Sequence, residues 1–406
     1  MQLAWGQDED LFRAELTRFL DEQTPFQIRG GRDFMAAERH RAASATGKPE
    51  IIPDWARKWQ ATLFDHGWMI PSYPPELGGR NATLFQALLY LEELAARGIQ
   101  RSVHFPGYGI VAPSLLEFGT AEQKAMAPAA IRGDTVWCIG MSEPNAGSDL
   151  ASLSTRAVVD GDQFVINGQK VWTSYAMVAQ KCFCYVRTAT DVPKHKGISV
   201  LIVDMDTPGI EIRPLRNILG AAEFAEVFFS DVSVPATNLV GQLNDGWRIT
   251  LGSLAHERGG LWVQGVANAS HALDGLIALA KAKGIDRDPT VRRRLAEAYE
   301  QVQSLRALGY KGFASFAQGS SAPEHSYLKM ATSELGKSLF ELGMELLGPF
   351  GTVTDAERGE QGGRWARGFF LSFANTIAGG SAEIQRNIIA ERILGLPRGI
   401  QSSKPR

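Results

Sequence analysis

The stretch STRAVVDGDQFVINGQKVWTS, residues 154–174, decides the fold. Its apolar and polar residues alternate around an Asp-Gly pair at 160–161 and an Asn-Gly pair at 167–168, a hairpin signature. Short runs of the same character follow: CFCYVRTA from 182, GISVLIVDM from 197, GIEIRPL from 209 and AEVFFSDVSVP from 225. No helical periodicity interrupts them, which predicts a small antiparallel sheet or barrel.

Outward from this block the chain reads as helix on both sides. DEDLFRAELTRFLDEQ, from residue 8, opens on acids and spaces Leu11, Leu16, Phe19 and Leu20 along one face. PDWARKWQATLFDHG starts at Pro53 and stops before Gly67. NATLFQALLYLEELAARG carries a cap at Asn81 or Thr83 and a stop at Gly98. The piece between them, WMIPSYPPELGG, is a loop by its prolines and glycines, and residues 29–50 are polar, breaker-rich and expected to be exposed. Beyond residue 245, DGWRITLGSLAHERGGLWVQGVANASHALDGLIALAKAKG can form one long helix, broken or tolerant at its glycines. Helical segments then start at Thr290, Glu324 and Ser381. The expected class is α+β: an N-terminal helical domain (1–134), a central antiparallel β-domain (135–240) and a C-terminal helical bundle (241–406).

Composition narrows the function. The net charge is −2, so there is no basic footprint for nucleic acid. The chain starts without an apolar leader and has no run of about 18 apolar residues, so a soluble cytoplasmic protein is expected. Three cysteines, Cys138, Cys182 and Cys184, fit a reducing compartment. Cys182 and Cys184 are two apart, would share one strand face, and read as packing rather than as a metal pair.

Two glycine-bearing segments compete as cofactor signals. GYGIVA, Gly107 to Ala112, formally matches a dinucleotide fingerprint, but no strand–helix–strand unit surrounds it. CIGMSEPNAGSDLAS, Cys138 to Ser152, is stronger. It sits where helix gives way to sheet, and Ser142, Asn145, Gly147 and Ser148 can present hydroxyls and backbone N–H groups to phosphates or a heteroaromatic ring. A plain capped turn is the alternative. In KVWTSYA, Trp172 beside Thr173 and Ser174 can flank a planar ring, or simply be an interior tryptophan.

Taken together, MSEPNAGSDLAS, GQKVWTSYA, GWMIPSYPPELGG, EFGTAEQKAMAPAAIRGD and EIQRNIIAERILG resemble the acyl-CoA dehydrogenase family, over essentially the whole chain. The resemblance implies a three-domain, tetrameric flavoprotein that binds FAD without a Rossmann motif and acts on an acyl-CoA substrate. By match to the family's motifs, Ser142 and Ser174 hydrogen-bond the flavin ring and Trp172 packs beside it. Cys138, Met141 and Gly147 belong to the same cofactor segment, and Ser148 lies near pyrophosphate and pantetheine. Gly380, Ser381 and Glu383 fall where a glycine turn meets the FAD. Two motifs depart. The family's R-x-x-F-G is missing from KAKGIDRDPTVRRR, leaving only Arg287 as a substitute. Its Q-x-x-G-G-x-G stands as ELLGPFG, with Glu345 for glutamine, Gly348 kept and Pro349 for a glycine.

Dehydrogenation needs a base at Cα and, as the resemblance implies, a flavin that accepts hydride from Cβ. Many members carry the base in Y-E-G-T; here that register reads A-G-G-S, and Gly379 fills the acid's slot. Isovaleryl- and long-chain acyl-CoA dehydrogenases place the base on the first helix of the C-terminal domain, before an arginine. Glu257, followed by Arg258 on the substrate side, matches that pattern. A solvated charge cluster, or His256 as base, is the alternative, although the flanking Leu251, Leu254, Leu261 and Trp262 are apolar. The resemblance further implies an oxyanion donor from the backbone near Gly379 and electron transfer to an electron-transfer flavoprotein. Rival readings are an FAD-poor subunit of an α2β2 steroid side-chain enzyme and an acyl-CoA oxidase.

Overall fold

The structure is a computed structural model that describes residues 6–28, 52–255, 261–318, 324–355 and 357–397. The expectation for residues 29–50 therefore lies outside the described residues. Contacts divide the chain into two compact units, Met1–Glu257 and Arg258–Arg406.

The first unit is built on one eight-stranded sheet. Its strands are β1 (Trp137–Gly140), β2 (Arg156–Asp160), β3 (Gln163–Lys170), β4 (Lys181–Arg187), β5 (Ile198–Asp204), β6 (Ile210–Leu215), β7 (Phe224–Pro235) and β8 (Leu239–Val240). They run in the order β6-β7-β3-β2-β4-β5-β8, with β1 added beside β4. Most pairings are antiparallel, as expected; β1 runs parallel to β4, and β2 touches β4 in parallel at one position.

Alternation along β4 gives the sheet two cores. Phe183 and Tyr185 join a core shared with the N-terminal helices, whereas Cys182, Cys184 and Val186 join a second core with Ala157, Phe164, Ile166 and Val227. The two cysteines do share a face. All three cysteines are free and buried, and Cys138 Sγ lies 3.8 Å from Met205 Sδ. Hydrogen bonding among the thiols, together with burial, holds Cys182 and Cys184 well above the ordinary thiol pKa. They pack as small apolar groups.

The two glycine pairs of the deciding stretch behave differently. Asp160 pairs with Gln163 and closes a two-residue turn with Gly161 at φ +61°. Asn167-Gly168 is no turn. It lies opposite a bulge in β7: Ile166 pairs with Val232 but Gly168 with Phe229, so Ser230 and Asp231 together face Asn167. Gly168 has φ +150°, and a Cβ there would lie 2.6 Å from Thr155 Cα. Asn167 instead reaches across to Asp231, donating from Nδ2 to Oδ1 and accepting from the Asp231 N–H, each at 2.9 Å.

The helices covering one sheet face are α1 (Gln7–Gln23), α2 (Asp54–Asp65), α3 (Leu84–Arg97), α4 (Ala112–Phe118), the short α5 (Ala121–Lys124) and α6 (Ala127–Arg132), joined by α7 (Gly246–Ala255). In α1 the buried stripe is Phe12, Leu16, Phe19 and Leu20; Leu11, expected inside, is exposed because Phe12 takes the inward position. Thr83 caps α3 by accepting from the Gln86 N–H, and Gly98 ends it in the left-handed conformation. GYGIV is a π-helical turn leading into α4, with no strand before it, so the dinucleotide fingerprint has no structural basis.

The second unit is helical: α8 (Leu261–Ala282), α9 (Pro289–Ala317), α10 (Glu324–Leu347), α11 (Arg364–Ile377) and α12 (Ala382–Ile388), which continues into a π-turn at Ile389–Ile393. Its helices close on one another by setting aromatic rings against glycines. A Cβ on Gly309 of α9 would lie 2.1 Å from the Trp262 ring of α8, and one on Gly343 of α10 would lie 2.1 Å from the Trp365 ring of α11.

Candidate active site

In the first unit the candidate site is two loops bound together at the ends of β1 and β3. The β1 loop begins Met141-Ser142-Glu143 and turns at once: the Glu143 N–H donates to the Ala146 carbonyl and the Ala146 N–H to the Glu143 carbonyl, both at 3.0 Å. The Glu143 side chain points inward. Its carboxylate accepts from Lys170 Nζ at 2.8 Å, from Thr155 N–H at 2.8 Å, and from the Ser154 N–H and hydroxyl at 2.6 and 2.8 Å. Lys170 ends β3, is wholly buried, and also donates to the Met141 carbonyl at 3.2 Å. Burial alone would raise the Glu143 pKa; the Lys170 charge and the hydrogen bonds outweigh it and bring the carboxyl down to about 2.

Arg187 secures the rest of this loop. Buried by the fold, it donates to the carbonyls of Ala151 at 2.5 Å and Leu153 at 3.1 Å, and to that of Lys194. Gly147 and Ser148 are left exposed at the loop's outer edge, and a Cβ on Gly147 would meet nothing within 4 Å. The Cys138 side chain packs in the core with Cys182 and Cys184.

The β3 loop is joined directly to the first, because the Val171 N–H donates to the Ser142 carbonyl at 2.9 Å. Trp172 follows in the left-handed region at φ +57°, yet 62% of it is exposed, with an edge contact to Phe224. A large aromatic held outward on a strained backbone is the kind of outlier that function, rather than packing, explains. Thr173 is pinned to Ala225 by a pair of backbone bonds at 3.0 and 3.2 Å. Its hydroxyl is buried and has no partner among the described residues, and Ser174 beside it is half-buried. Tyr175, at φ +66°, anchors the loop's far end: its hydroxyl donates to the Val103 carbonyl and its ring meets His104 edge-on at 4.9 Å.

In the second unit the residues around the glycine turn lie together. Gly379 and Gly380 have φ +66° and +89°. Lys329 Nζ donates to the Gly380 carbonyl at 2.7 Å and Gln385 Nε2 to the Gly379 carbonyl at 3.3 Å, so both carbonyls are tied back to the chain. Burial draws the Lys329 amine below its usual pKa. Ser381 caps α12 by accepting from the Ile384 N–H at 3.3 Å, while Glu383 is exposed and receives Arg386 at 3.4 Å. Among the described residues the nearest atom to a Cβ on Gly379 would be Lys329 Cε at 4.0 Å, and the position itself carries no carboxylate.

The other predicted residues are dispersed. Glu345 forms an ion pair with Arg294. Gly348, at φ +62°, faces open space, and Arg287 is exposed in the loop between α8 and α9. His256, Glu257 and Arg258 lie outside the described residues. Of the side chains named as their apolar flank, Trp262 is buried and Leu251 is half exposed.

Comparison with known proteins decides the lineage. The N-terminal, middle and C-terminal domain models of acyl-CoA dehydrogenases match residues 7–134, 138–232 and 244–394. The chain belongs to the acyl-CoA dehydrogenase family. It is 37% identical over 394 residues to acyl-CoA dehydrogenase IpdE1 of Mycobacterium tuberculosis, covering 97% of this chain and 99% of that one. Among solved structures it resembles the Tcur3481-Tcur3483 steroid ACAD, with a TM-score of 0.82, 30% identity, and coverage of 98% and 100%. It also resembles the ChsE4-ChsE5 complex from Mycobacterium tuberculosis, with a TM-score of 0.80, 32% identity, and coverage of 98% and 100%. This acyl-CoA dehydrogenase is thus an oxidoreductase of a flavoprotein family. No helix among its described residues is long and apolar enough to cross a membrane.

Sequence reasoning missed Glu143, Lys170, His104, Tyr175 and Lys329. A signal existed for Lys170. Alternation along β3 puts it on the face of Phe164 and Ile166, where a charge demands a partner. Nothing local marks Lys329, which lies 50 residues before Gly379 and meets the turn only through tertiary packing.

Proposed function

We propose that the chain catalyses FAD-dependent α,β-dehydrogenation of an acyl-CoA thioester, with Glu257 removing the proton at Cα. The observation that carries the reading is the glycine turn, whose acid slot is Gly379, in a chain that matches all three family domains. The chemistry still needs a base, and Glu257-Arg258 is the arrangement that relatives with a displaced base employ.

The residues present fit the cofactor. Thr173 offers a buried hydroxyl with no partner among the described residues, Trp172 is presented outward, and Gly147 leaves space at the loop edge. FAD, when bound, supplies the acceptor for the hydride leaving Cβ. Ser142 and Ser174 would orient the ring by hydrogen bonds, Trp172 would flank it, and Ser148 would lie toward the pyrophosphate and pantetheine. With its carbonyls tied back by Lys329 and Gln385, the glycine turn is held rigid for a backbone N–H to meet the thioester oxygen as charge develops there. An electron-transfer flavoprotein would be the electron acceptor.

A second element concerns substrate and assembly. Similarity to a steroid ACAD and to a two-protein complex supports a bulky polycyclic acyl group and an α2β2 tetramer rather than a homotetramer. Glu345, paired with Arg294, and Pro349 in place of a glycine alter a family cofactor motif, which supports the mixed tetramer.

The test is anaerobic bleaching of the flavin by straight, branched and steroid side-chain CoA thioesters. The parent protein is expected to bleach fastest with the steroid class. Glu257→Gln should stay yellow and lose the reduction rate by about 10³-fold, the scale of general-base catalysis. Undiminished reduction by that variant would eliminate Glu257 as the base.

A further inference from the structure

The charges of Glu143 and Lys170 are the most deeply buried pair among the described residues, with side chains 4% and 0% exposed. The reaction proposed above gives neither of them a chemical role. A buried ion pair is a poor way to stabilise a fold, because desolvating both charges offsets most of their attraction; apolar residues of similar volume generally do as well or better. What such a pair supplies is direction.

Both members of the pair adjoin residues assigned to the flavin. Lys170 holds the carbonyl of Met141, which precedes Ser142, and itself stands two residues before Trp172. Glu143 follows Ser142, and its carboxylate draws in Ser154 and Thr155, closing the base of the β1 loop. Between the two charged residues the loops meet through Val171 N–H and the Ser142 carbonyl at 2.9 Å. The lysine stem passes beside Gly140, where a Cβ would come within 3.3 Å of Lys170 Cγ and 3.1 Å of Cys182 Sγ, so the route is built to fit it. Nearby Arg187 adds a second positive charge that Glu143 feels.

We infer that the Glu143–Lys170 pair is a positioning clamp: it fixes the spacing of the Met141–Ser142 and Trp172–Ser174 edges and thereby sets how tightly, and in what environment, the flavin ring is held. This inference rests on the FAD reading above. Two apolar side chains could fill the same volume, but they could not hold the Met141 carbonyl, the Ser154 and Thr155 amides and the β3 end in one arrangement. The clamp acts through its neighbours and needs no contact with the cofactor.

The experiment uses the full-length chain with Glu143→Gln, Lys170→Met, and the double substitution Glu143→Leu with Lys170→Met. Four quantities are read: thermal midpoint without FAD, amide exchange at Val171 without FAD, FAD affinity by quenching of flavin fluorescence, and the position of the bound flavin's absorption bands. Lys170→Met leaves a buried carboxylate alone and should unfold most readily. The double variant should keep a thermal midpoint within a few degrees of the parent. Its Val171 amide should exchange at least 10-fold faster, its FAD affinity should fall at least 10-fold, and its flavin bands should shift. Glu143→Gln, which keeps the shape but only one acceptor oxygen and so only part of the contacts to Ser154, Thr155 and Lys170, should fall between parent and double variant.

A double variant with parental affinity, bands and Val171 exchange overturns the clamp. Unfolding of all three variants also overturns it, because the pair then serves the fold itself. If the parent binds no FAD, the flavin reading fails separately, and Val171 exchange in the FAD-free double variant still decides whether the pair holds the loops together.

Discussion

His104 shows how one residue's surroundings set a pH response. It is buried, with Nε2 2.7 Å from the Trp137 carbonyl and its ring against Tyr175. Burial disfavours the imidazolium more than the Trp137 hydrogen bond favours it, and the pKa falls to about 4. In the unfolded chain the same ring titrates near 6.5. As pH falls from 6.5 to about 4, the unfolded state therefore takes up a proton that the folded state refuses. The stabilisation from a neutral His104 is present above pH 6.5 and is lost through that window. Thermal midpoints measured across it should fall less steeply for His104→Phe than for the parent; parallel curves would show that the ring does not titrate in this way. Glu143 acts at lower pH: its depressed pKa stabilises the fold above about 4.5, and that contribution disappears toward pH 2.

Among elements, the contest is between backbone preference and packing. Gly309 lies inside α9, where alanine would ordinarily gain about 1 kcal/mol of helix propensity. Here a Cβ would sit 2.1 Å from the Trp262 ring, and overpacking of this kind costs ~1–3 kcal/mol. The steric term wins, so Gly309→Ala should lower stability in urea unfolding, and Trp262→Leu in the same chain should recover part of the loss. Independent, additive losses would mean that the two residues do not share the contact. Asn167-Gly168 follows the same logic. The dipeptide favours a hairpin turn, but β3 continues to pair with β7 on both sides of it, and the register shift is taken up by an extra residue in β7.

For the molecule as a whole, the reading to test is cofactor linkage. A ligand that binds only the folded state stabilises it by mass action, by about 2.7 kcal/mol at a concentration 100-fold above its dissociation constant. FAD-stripped protein should therefore melt at a lower temperature than the reconstituted form, with a midpoint that climbs with added FAD. A midpoint indifferent to FAD would remove the cofactor from the account. The two compact units, divided at 257–258, give the protein separate places from which to present residues: the paired loops at the ends of β1 and β3, and the glycine turn beside Lys329.

Much of this was written locally. Alternation, caps and turn residues were enough to place helix before and after a mostly antiparallel sheet, because each depends on neighbours within a few residues. The motifs around Ser142, Trp172 and Gly380 likewise identified which loops to watch, since they are contiguous. What sequence alone could not supply were pairings that depend on distant segments meeting. Lys170 finds Glu143 across 27 residues, Lys329 finds Gly380 across 51, and Tyr175 finds Val103 across 72. The exposure of Leu11 and the β7 bulge opposite Asn167 belong with them. Sequence determined the local geometry and the chemistry on offer; only tertiary packing, by burying some charges and aiming others, decided which groups act on each other.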